Sequence, residues 1–349
     1  MMIKDRVRGS LMAGAMGDAL GYVVEFMPRQ AIVARYGERG ITQFELDGGV
    51  KALISDDTQM TLYTAIGLTN AKQKGIEPKY AIAQAYIEWL NTQLKKGPKG
   101  KEDCWISKER ELYSRRAPGL TCMSALSQLA KGGEPINDSK GCGGIMRVAP
   151  IGLYGAVGGR MTIEEVGRLA VDAVELTHQH PLGYLSSALF AMFIYRVVQL
   201  PVEYLKANIG DVACETLDVL DSLYDGRFDT SRAALRSLTE MALSLARTDM
   251  SDADAVKQLG EGWTGDEAWA IALYSAVRHV DSVEMAIEAA VNHNGDSDST
   301  GSVCGNIIGA IHGYEHLKMR NIFCPEGHTL EDSLELSRVI LRVADTLIE

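Results

Sequence analysis

From residue 58 to residue 347 the apolar residues recur every three or four positions, in one segment after another, and they hardly ever alternate. The helical segments read 58–73, 78–94, 119–130, 162–177, 181–198, 201–222, 231–247, 252–259, 266–278, 281–291, 302–317 and 329–347. A chain written this way has little to offer a sheet, so its core must be helix packed on helix. Pro78, Pro181 and Pro201 stand where first-turn prolines are tolerated. One more helical spacing opens the chain, with Val7, Leu11, Met12, Ala15, Ala19, Tyr22 and Val23 on one side. It also carries Gly14, Gly17 and Gly21, which admit a second helix or a ligand at close range. Each such glycine costs roughly 1 kcal/mol against alanine, so a packing or functional reason is expected. Residues 28–53 read as irregular loop, and 95–118, with Lys95, Lys96, Lys99 and Lys101, as a charged, solvated one.

Two short stretches are acidic where they should be apolar or capped by one residue. Ser55-Asp56-Asp57-Thr58 follows a glycine loop and opens the run from Met60 to Leu68. Gly295-Asp296-Ser297-Asp298-Ser299-Thr300 lies between the runs Val283–Val291 and Val303–Leu317. Serine and aspartate at a helix start cap free N–H groups, and the helix dipole favours their charge. An ordinary cap accounts for one such turn, not for four carboxylates in two copies. Like charges this close need a cation or a proton between them, and hard oxygen donors suit magnesium, manganese or calcium. We therefore expect the two turns to be halves of one metal site. If they meet, most of the chain between them forms one unit, and the expectation is a single all-α domain over 1–349.

The 296–301 stretch also looks like the start of a calcium-binding EF-hand loop, but the twelfth position, where a glutamate is needed, is Ile307. It also resembles the nucleophile motif of haloacid-dehalogenase-type phosphatases, but that motif ends a buried strand, and here Asn292, His293, Asn294 and Gly295 precede it. A formal net charge of -11 speaks against a nucleic-acid surface and gives no attraction to anionic membranes. None of the six cysteines forms a C-x-x-C pair, and the N-terminal stretch does not read as an export signal. The longest apolar run, Leu182 to Tyr195, falls short of the roughly 20 residues a bilayer needs. A reduced, cytoplasmic protein with free thiols is expected.

Five motifs occur in a fixed order: Gly17-Asp18-Ala19-Leu20-Gly21 with Glu25, Ser55–Thr58, Ser139-Lys140-Gly141-Cys142-Gly143-Gly144-Ile145-Met146-Arg147, Thr177-His178-Gln179-His180-Pro181, and Gly295–Thr300. Over about 5–313 this series resembles the ADP-ribosylglycohydrolase family, all-α enzymes that include dinitrogenase-reductase-activating glycohydrolase. The resemblance implies two divalent metal ions, Mg2+ or Mn2+. Ser55, Asp56 and Asp57 match one group of ligands, Asp296, Asp298 and Ser299 the other, with Asp298 bridging. Glu25 matches a glutamate that binds metal beside the reacting sugar, so Glu25 and Asp298 are the expected catalytic residues. The glycine loop, through Ser139, Gly141, Cys142, Gly143 and Gly144, would cradle the diphosphate and ribose with its backbone N–H groups. His178 would contact the ligand rather than the metal, and Trp263, after Gly262, would border the adenosine or ribose. Arg115, Arg116, Pro118 and Gly119 match a further family stretch without an assigned role. Asp18 is expected on the same helix as Glu25, orienting it.

The implied reaction is hydrolysis of the bond from the anomeric carbon of ADP-ribose to a protein side chain, with arginine the expected linkage. The partner is then an ADP-ribosylated protein, and the setting the reversal of a regulatory or toxin-imposed mark. The alternative is a non-catalytic binding or immunity protein that recognises a cognate ADP-ribosyltransferase. Retention of every acidic position favours the enzyme.

Overall fold

All twelve segments read as helical from their spacing are helical in the computed structural model. It describes residues 2–94, 97, 98, 100 and 102–349, so Lys95, Lys96, Lys99 and Lys101 of the expected solvated loop lie outside the described residues. Seventeen α-helices and no sheet form among the described residues. The first six are α1 (Ile3–Tyr22), α2 (Arg29–Tyr36), α3 (Asp56–Lys74), α4 (Pro78–Leu94), α5 (Leu120–Leu129) and α6 (Ala149–Ala156). The middle of the chain gives α7 (Ile163–Glu175), α8 (Pro181–Gln199), α9 (Val202–Leu223), α10 (Asp229–Leu245) and α11 (Asp252–Leu259). Then come α12 (Gly265–Arg278), α13 (Val283–Val291), α14 (Ser297–His312), α15 (Tyr314–Arg320), α16 (Leu330–Ser333) and α17 (Ser337–Ile348).

Four departures from the sequence reading have local causes. Helix α2 falls in the stretch read as loop; only Ile32 of its eight residues is buried, so no apolar stripe announces it. Helix α6 is the reverse case, buried at every position but Tyr154, which erases the contrast between faces. The run 302–317 breaks at Gly313, whose φ of 80° ends α14 and starts α15. The run 329–347 breaks at Leu334–Leu336, where Leu334 bridges to Ala52 and Arg116 takes the side chain of Glu335.

The fold is organised by a seam between α1 and α14. A Cβ placed on Gly9 would fall 2.4 Å from the carbonyl oxygen of Gly309, one on Gly17 2.0 Å from that of Gly301, and one on Gly21 2.2 Å from that of Ser297. From the other side, Gly305 would meet the Ala13 carbonyl at 2.1 Å. The small residues step by four on both helices and in opposite directions, so α1 and α14 run antiparallel with their backbones touching. The glycines of α1 therefore admit a helix. Arg6 locks the far end of the seam. Its buried guanidinium donates to the carbonyls of Ala310 (2.7 Å), Val197 (2.6 Å) and Leu200 (2.6 Å), satisfying carbonyls that the end of α8 leaves open.

Around this seam one large apolar cluster takes in side chains from most of the helices. Helix α8 runs through it and is buried at Leu182–Ile194. As a 19-residue helix it is longer than the run read from sequence, and it is long and apolar enough to cross a membrane, but most of it is inside the protein. All six cysteines are free thiols. The near end of the seam matters most for function. There the C-terminal end of α1 meets the N-terminal ends of α14 and α3, two positive dipole ends that favour negative charge.

Candidate metal and ligand cleft

Asp18 joins α1 to α3. Its buried carboxylate accepts from the backbone N–H of Ser55 (3.0 and 3.1 Å), the N–H of Thr58 (3.0 Å) and the Thr58 hydroxyl. Ser55 is the N-cap, its hydroxyl accepting from the Asp57 N–H at 3.2 Å. The first acidic corner is thus held from α1, with Asp56 and Asp57 in the first turn of α3. This corrects the expectation that Asp18 orients Glu25: α1 ends at Tyr22, Glu25 lies in the following turn, and the Asp18 carboxylate is committed to α3.

Asp296 caps α14 in the same way, accepting from the Ser299 N–H at 3.2 Å. Its own N–H donates to the Glu261 carbonyl at 2.8 Å. Glu25, Asp296 and Asp298 bring carboxylate oxygens within 4.8 Å of one another. Asp56, Asp57, Asp296, Asp298 and Ser299 all open onto one cleft of about 530 Å³, and the Ser55 hydroxyl reaches Asp298 from behind. The two corners, far apart in sequence, lie together.

Their charges are uncomfortable there. Burial first, then the Asp298 charge, raises Asp18 to about 7, and burial with Asp298, Asp296, Asp56 and Asp18 raises Glu25 to about 10. Asp56, Asp57 and Asp296 are pushed well above the ordinary range by burial and by Asp298, and burial raises Asp298 too. Glu25 Oε2 and Asp57 Oδ2 are buried with no hydrogen-bond partner. Unpaired buried carboxylate oxygens of this kind cost more than a lost hydrogen bond unless a proton or a cation meets them. A hard divalent cation fits this donor set.

The glycine loop forms the facing wall. Gly141, Cys142, Gly143 and His178 line the cleft, and Trp263 stands at its mouth, stacked on Phe26 with ring centroids 5.9 Å apart. Ser139 and Gly144 sit behind. The Ser139 hydroxyl contacts that of Thr121 at 3.3 Å, and a Cβ on Gly144 would meet Val174 at 2.6 Å. Two of the backbone N–H groups expected to cradle phosphate are already engaged. Cys142 donates to the Trp263 carbonyl at 3.1 Å, and Gly141 to the Ser139 hydroxyl at 3.4 Å.

Burial and the nearby Arg147 drive His178 down to about 3, so it is neutral at pH 7. Arg147 donates to the Thr177 hydroxyl at 2.5 Å, and that hydroxyl is 2.9 Å from His178 Nδ1. The hydroxyl also reaches the Val174 carbonyl at 3.3 Å; where it donates to the nearer Nδ1, the proton of the neutral ring sits on Nε2, on the side of Gly141 and Gly143. His180 instead caps α8, accepting from the Leu182 N–H at 3.0 Å.

Three features had no role assigned from the sequence. Glu267 accepts from the N–H groups of Glu261 (3.2 Å) and Gly262 (3.1 Å), fixing the loop that carries Trp263 and also holds Asp296 and Cys142. The segment 117–122 forms a further wall, and Gly119 donates to Asp56 Oδ2 at 3.3 Å. Arg116, left without a role, pairs with Glu335 at 3.0 Å, and its carbonyl accepts from the Asp56 N–H. The first is a loop folding back on a helix start five and six residues away, which no apolar spacing announces; the long separation of Arg116 from Glu335 hides the third; the family stretch around Pro118 pointed toward the second.

A sequence model of the family described as ADP-ribosylglycohydrolase matches residues 1–345. The chain belongs to the ADP-ribosylglycohydrolase family. Similar proteins include the ADP-ribosyl-[dinitrogen reductase] glycohydrolase of Rhodospirillum rubrum, 26% identical over 99% of this chain and 96% of that one. The ADP-ribosylhydrolase ARH3 of Bos taurus is 25% identical over 89% of this chain and 86% of its own. Among solved structures, an "ADP-ribosylglycohydrolase-related protein complex" superposes with a TM-score of 0.63 at 21% identity, covering 99% of this chain and 98% of the other. That likeness concerns the fold, which is the ADP-ribosylglycohydrolase fold. Membership of the family supports a hydrolase that removes ADP-ribose.

Proposed function

We propose that this ADP-ribosylglycohydrolase is metal-dependent and releases ADP-ribose from modified arginine side chains of proteins. One observation carries the reading: Asp56, Asp57, Asp296, Asp298 and Ser299 line one cleft, Glu25 lies against Asp296 and Asp298, and the buried oxygens Glu25 Oε2 and Asp57 Oδ2 have no hydrogen-bond partner. Two ions, Mg2+ or Mn2+, would be held by Ser55, Asp56 and Asp57 on one side and by Asp296, Asp298 and Ser299 on the other, with Glu25 beside them. A divalent ion in such a site supplies Lewis acidity and lowers the pKa of a coordinated water.

The chain's own residues do the rest. Glu25, which brings a carboxylate oxygen within 4.8 Å of those of Asp296 and Asp298, is the group to orient the attacking water or take its proton. Neutral His178 offers an Nε2–H donor to the ligand, beside Gly141, Cys142 and Gly143. Trp263, with Phe26 against it, gives a flat apolar face at the mouth for a ring of the ligand. Ser139 and Gly144 shape the loop from behind. Support for arginine comes from serine at both 55 and 299, a pairing also found in arginine-specific members; the name of the Rhodospirillum rubrum relative supports a modified protein as substrate.

The test is release of ADP-ribose from arginine-ADP-ribosylated protein, with and without EDTA, by the wild-type chain and by Asp296→Ala. Chelator-sensitive release that the substitution abolishes is expected. Equal release under all conditions removes the metal from the reading, and release only from another linkage removes the arginine.

A further inference from the structure

We propose that Cys142 adds a soft donor to this acidic centre, so that the same site takes thiophilic divalent cations such as Zn2+ and Cd2+ through sulfur. The inference rests on the metal reading above and extends it to a different class of ion. The Cys142 thiol donates to Asp296 Oδ2 at 2.6 Å, sharing a proton with a carboxylate assigned to the metal. The Ser299 hydroxyl is also within its reach, and Asp57 is near enough to act on it. Its backbone is fixed by the bond to Trp263, which aims the sulfur into the cleft.

An independent observation calls for a cation at this place. Asp57 Oδ2, in the same cleft, and Glu25 Oε2, on the carboxylate that lies against Asp296 and Asp298, are buried and unpartnered. Cys122 gives the internal contrast. It lines the same cleft, but its sulfur is 3.3 Å from the Arg147 guanidinium, which repels a cation. Among the described residues, Cys142 is the thiol hydrogen-bonded to a carboxylate of the centre.

Oxygen donors alone suit hard ions; a sulfur among them shifts preference toward zinc and its heavier congener. On entry of the ion the S–H bond breaks, the sulfur lone pair goes to the cation, and the proton leaves through Asp296 or water to solvent. No oxidant or reductant is involved.

The full-length chain, stripped with chelator, is titrated with Cd2+ and followed by the ultraviolet thiolate-to-cadmium charge-transfer band. Mn2+ binding is followed in parallel by electron paramagnetic resonance. In the wild-type protein a saturable band is expected that excess Mn2+ bleaches. Cys142→Ser and Cys142→Ala should lose the band and bind Cd2+ about tenfold or more weakly, while keeping Mn2+. A wild-type protein that binds Mn2+ but shows no band, a band that excess Mn2+ leaves untouched, or a band that survives in either variant would overturn the proposal and leave the oxygen-donor centre standing. Failure of both ions to bind the wild-type protein removes that centre, and the thiol's role with it.

Discussion

Gly17→Ala should weaken the protein at the seam that builds its site. In an unobstructed helix interior the change would stabilise by about 1 kcal/mol through helix propensity. Here the new Cβ would fall 2.0 Å from the Gly301 carbonyl oxygen and 2.4 Å from its carbon. A carbon–oxygen contact settles at roughly 3.3 Å, so the two backbones must part by about 1.3 Å at that point. Both partners are main chain, and no side chain can rotate out of the way. Overpacking of this kind costs about 1–3 kcal/mol, and rigid partners place it at the upper end. Subtracting the propensity gain leaves a net loss of about 2 kcal/mol. Urea denaturation reads it directly, as a lower midpoint with an unchanged slope. Gly210→Ala on α9 is the control, because its nearest neighbour is the movable tip of Leu243 at 3.3 Å. That variant should stay within about 0.5 kcal/mol of wild type or gain stability. Asp18 adjoins Gly17, so Mn2+ affinity should fall in Gly17→Ala and not in the control. A Gly17→Ala protein as stable as wild type would refute the touching-backbone account of the seam.

Asp18→Asn puts an amide where three donors from Ser55 and Thr58 converge. It should cost about 1.5–3 kcal/mol in denaturant midpoint and weaken Mn2+ binding, and an unchanged midpoint would contradict the capping role. Glu267→Gln loosens the loop carrying Trp263. Tryptophan fluorescence and ADP-ribose affinity by calorimetry should both change, while urea stability falls by only about 1 kcal/mol; identical affinity would leave Glu267 as mere packing. For pH, Asp18 and Glu25 hold their protons in the metal-free folded state at values where the unfolded chain has lost them. The folded state then binds more protons than the unfolded one, so metal-free stability falls as pH rises from about 4 through 7. Mn2+ competes with those protons, so its stabilising effect should grow over the same interval, with proton release seen in buffers of different ionisation enthalpy. A metal-free melting temperature that climbs from pH 5 to pH 8 would reverse the sign and reject the raised carboxyls.

What could be seen in the sequence was whatever repeats locally. Helices with one wet and one dry face, such as α7, α10 and α17, show their spacing plainly. Helix α6, with no wet face, and α2, with almost no dry one, do not. The acidic corners were legible because each packs carboxylates into a helix cap, and family motifs gave the glycine loop and His178. What remained hidden depends on contacts that no local spacing announces. Nothing in the residues around Asp18 says that its carboxylate will cap α3, since that bond is set by the α1–α14 seam. Likewise Glu267 looks like any first-turn glutamate until the loop at 260–263 folds back on it.

The seam also fixes when the protein can become competent. Arg6 finds its acceptor at Ala310, 304 residues later, and the glycines of α1 wait as long for theirs. On the ribosome the first acidic corner is made early and must stay open until α14 has emerged, so a nascent chain can hold no finished centre. Contacts this distant form slowly and leave surface exposed meanwhile. A chain shortened before α14 should therefore be not a weaker enzyme but an unassembled one, with half of its carboxylates facing nothing.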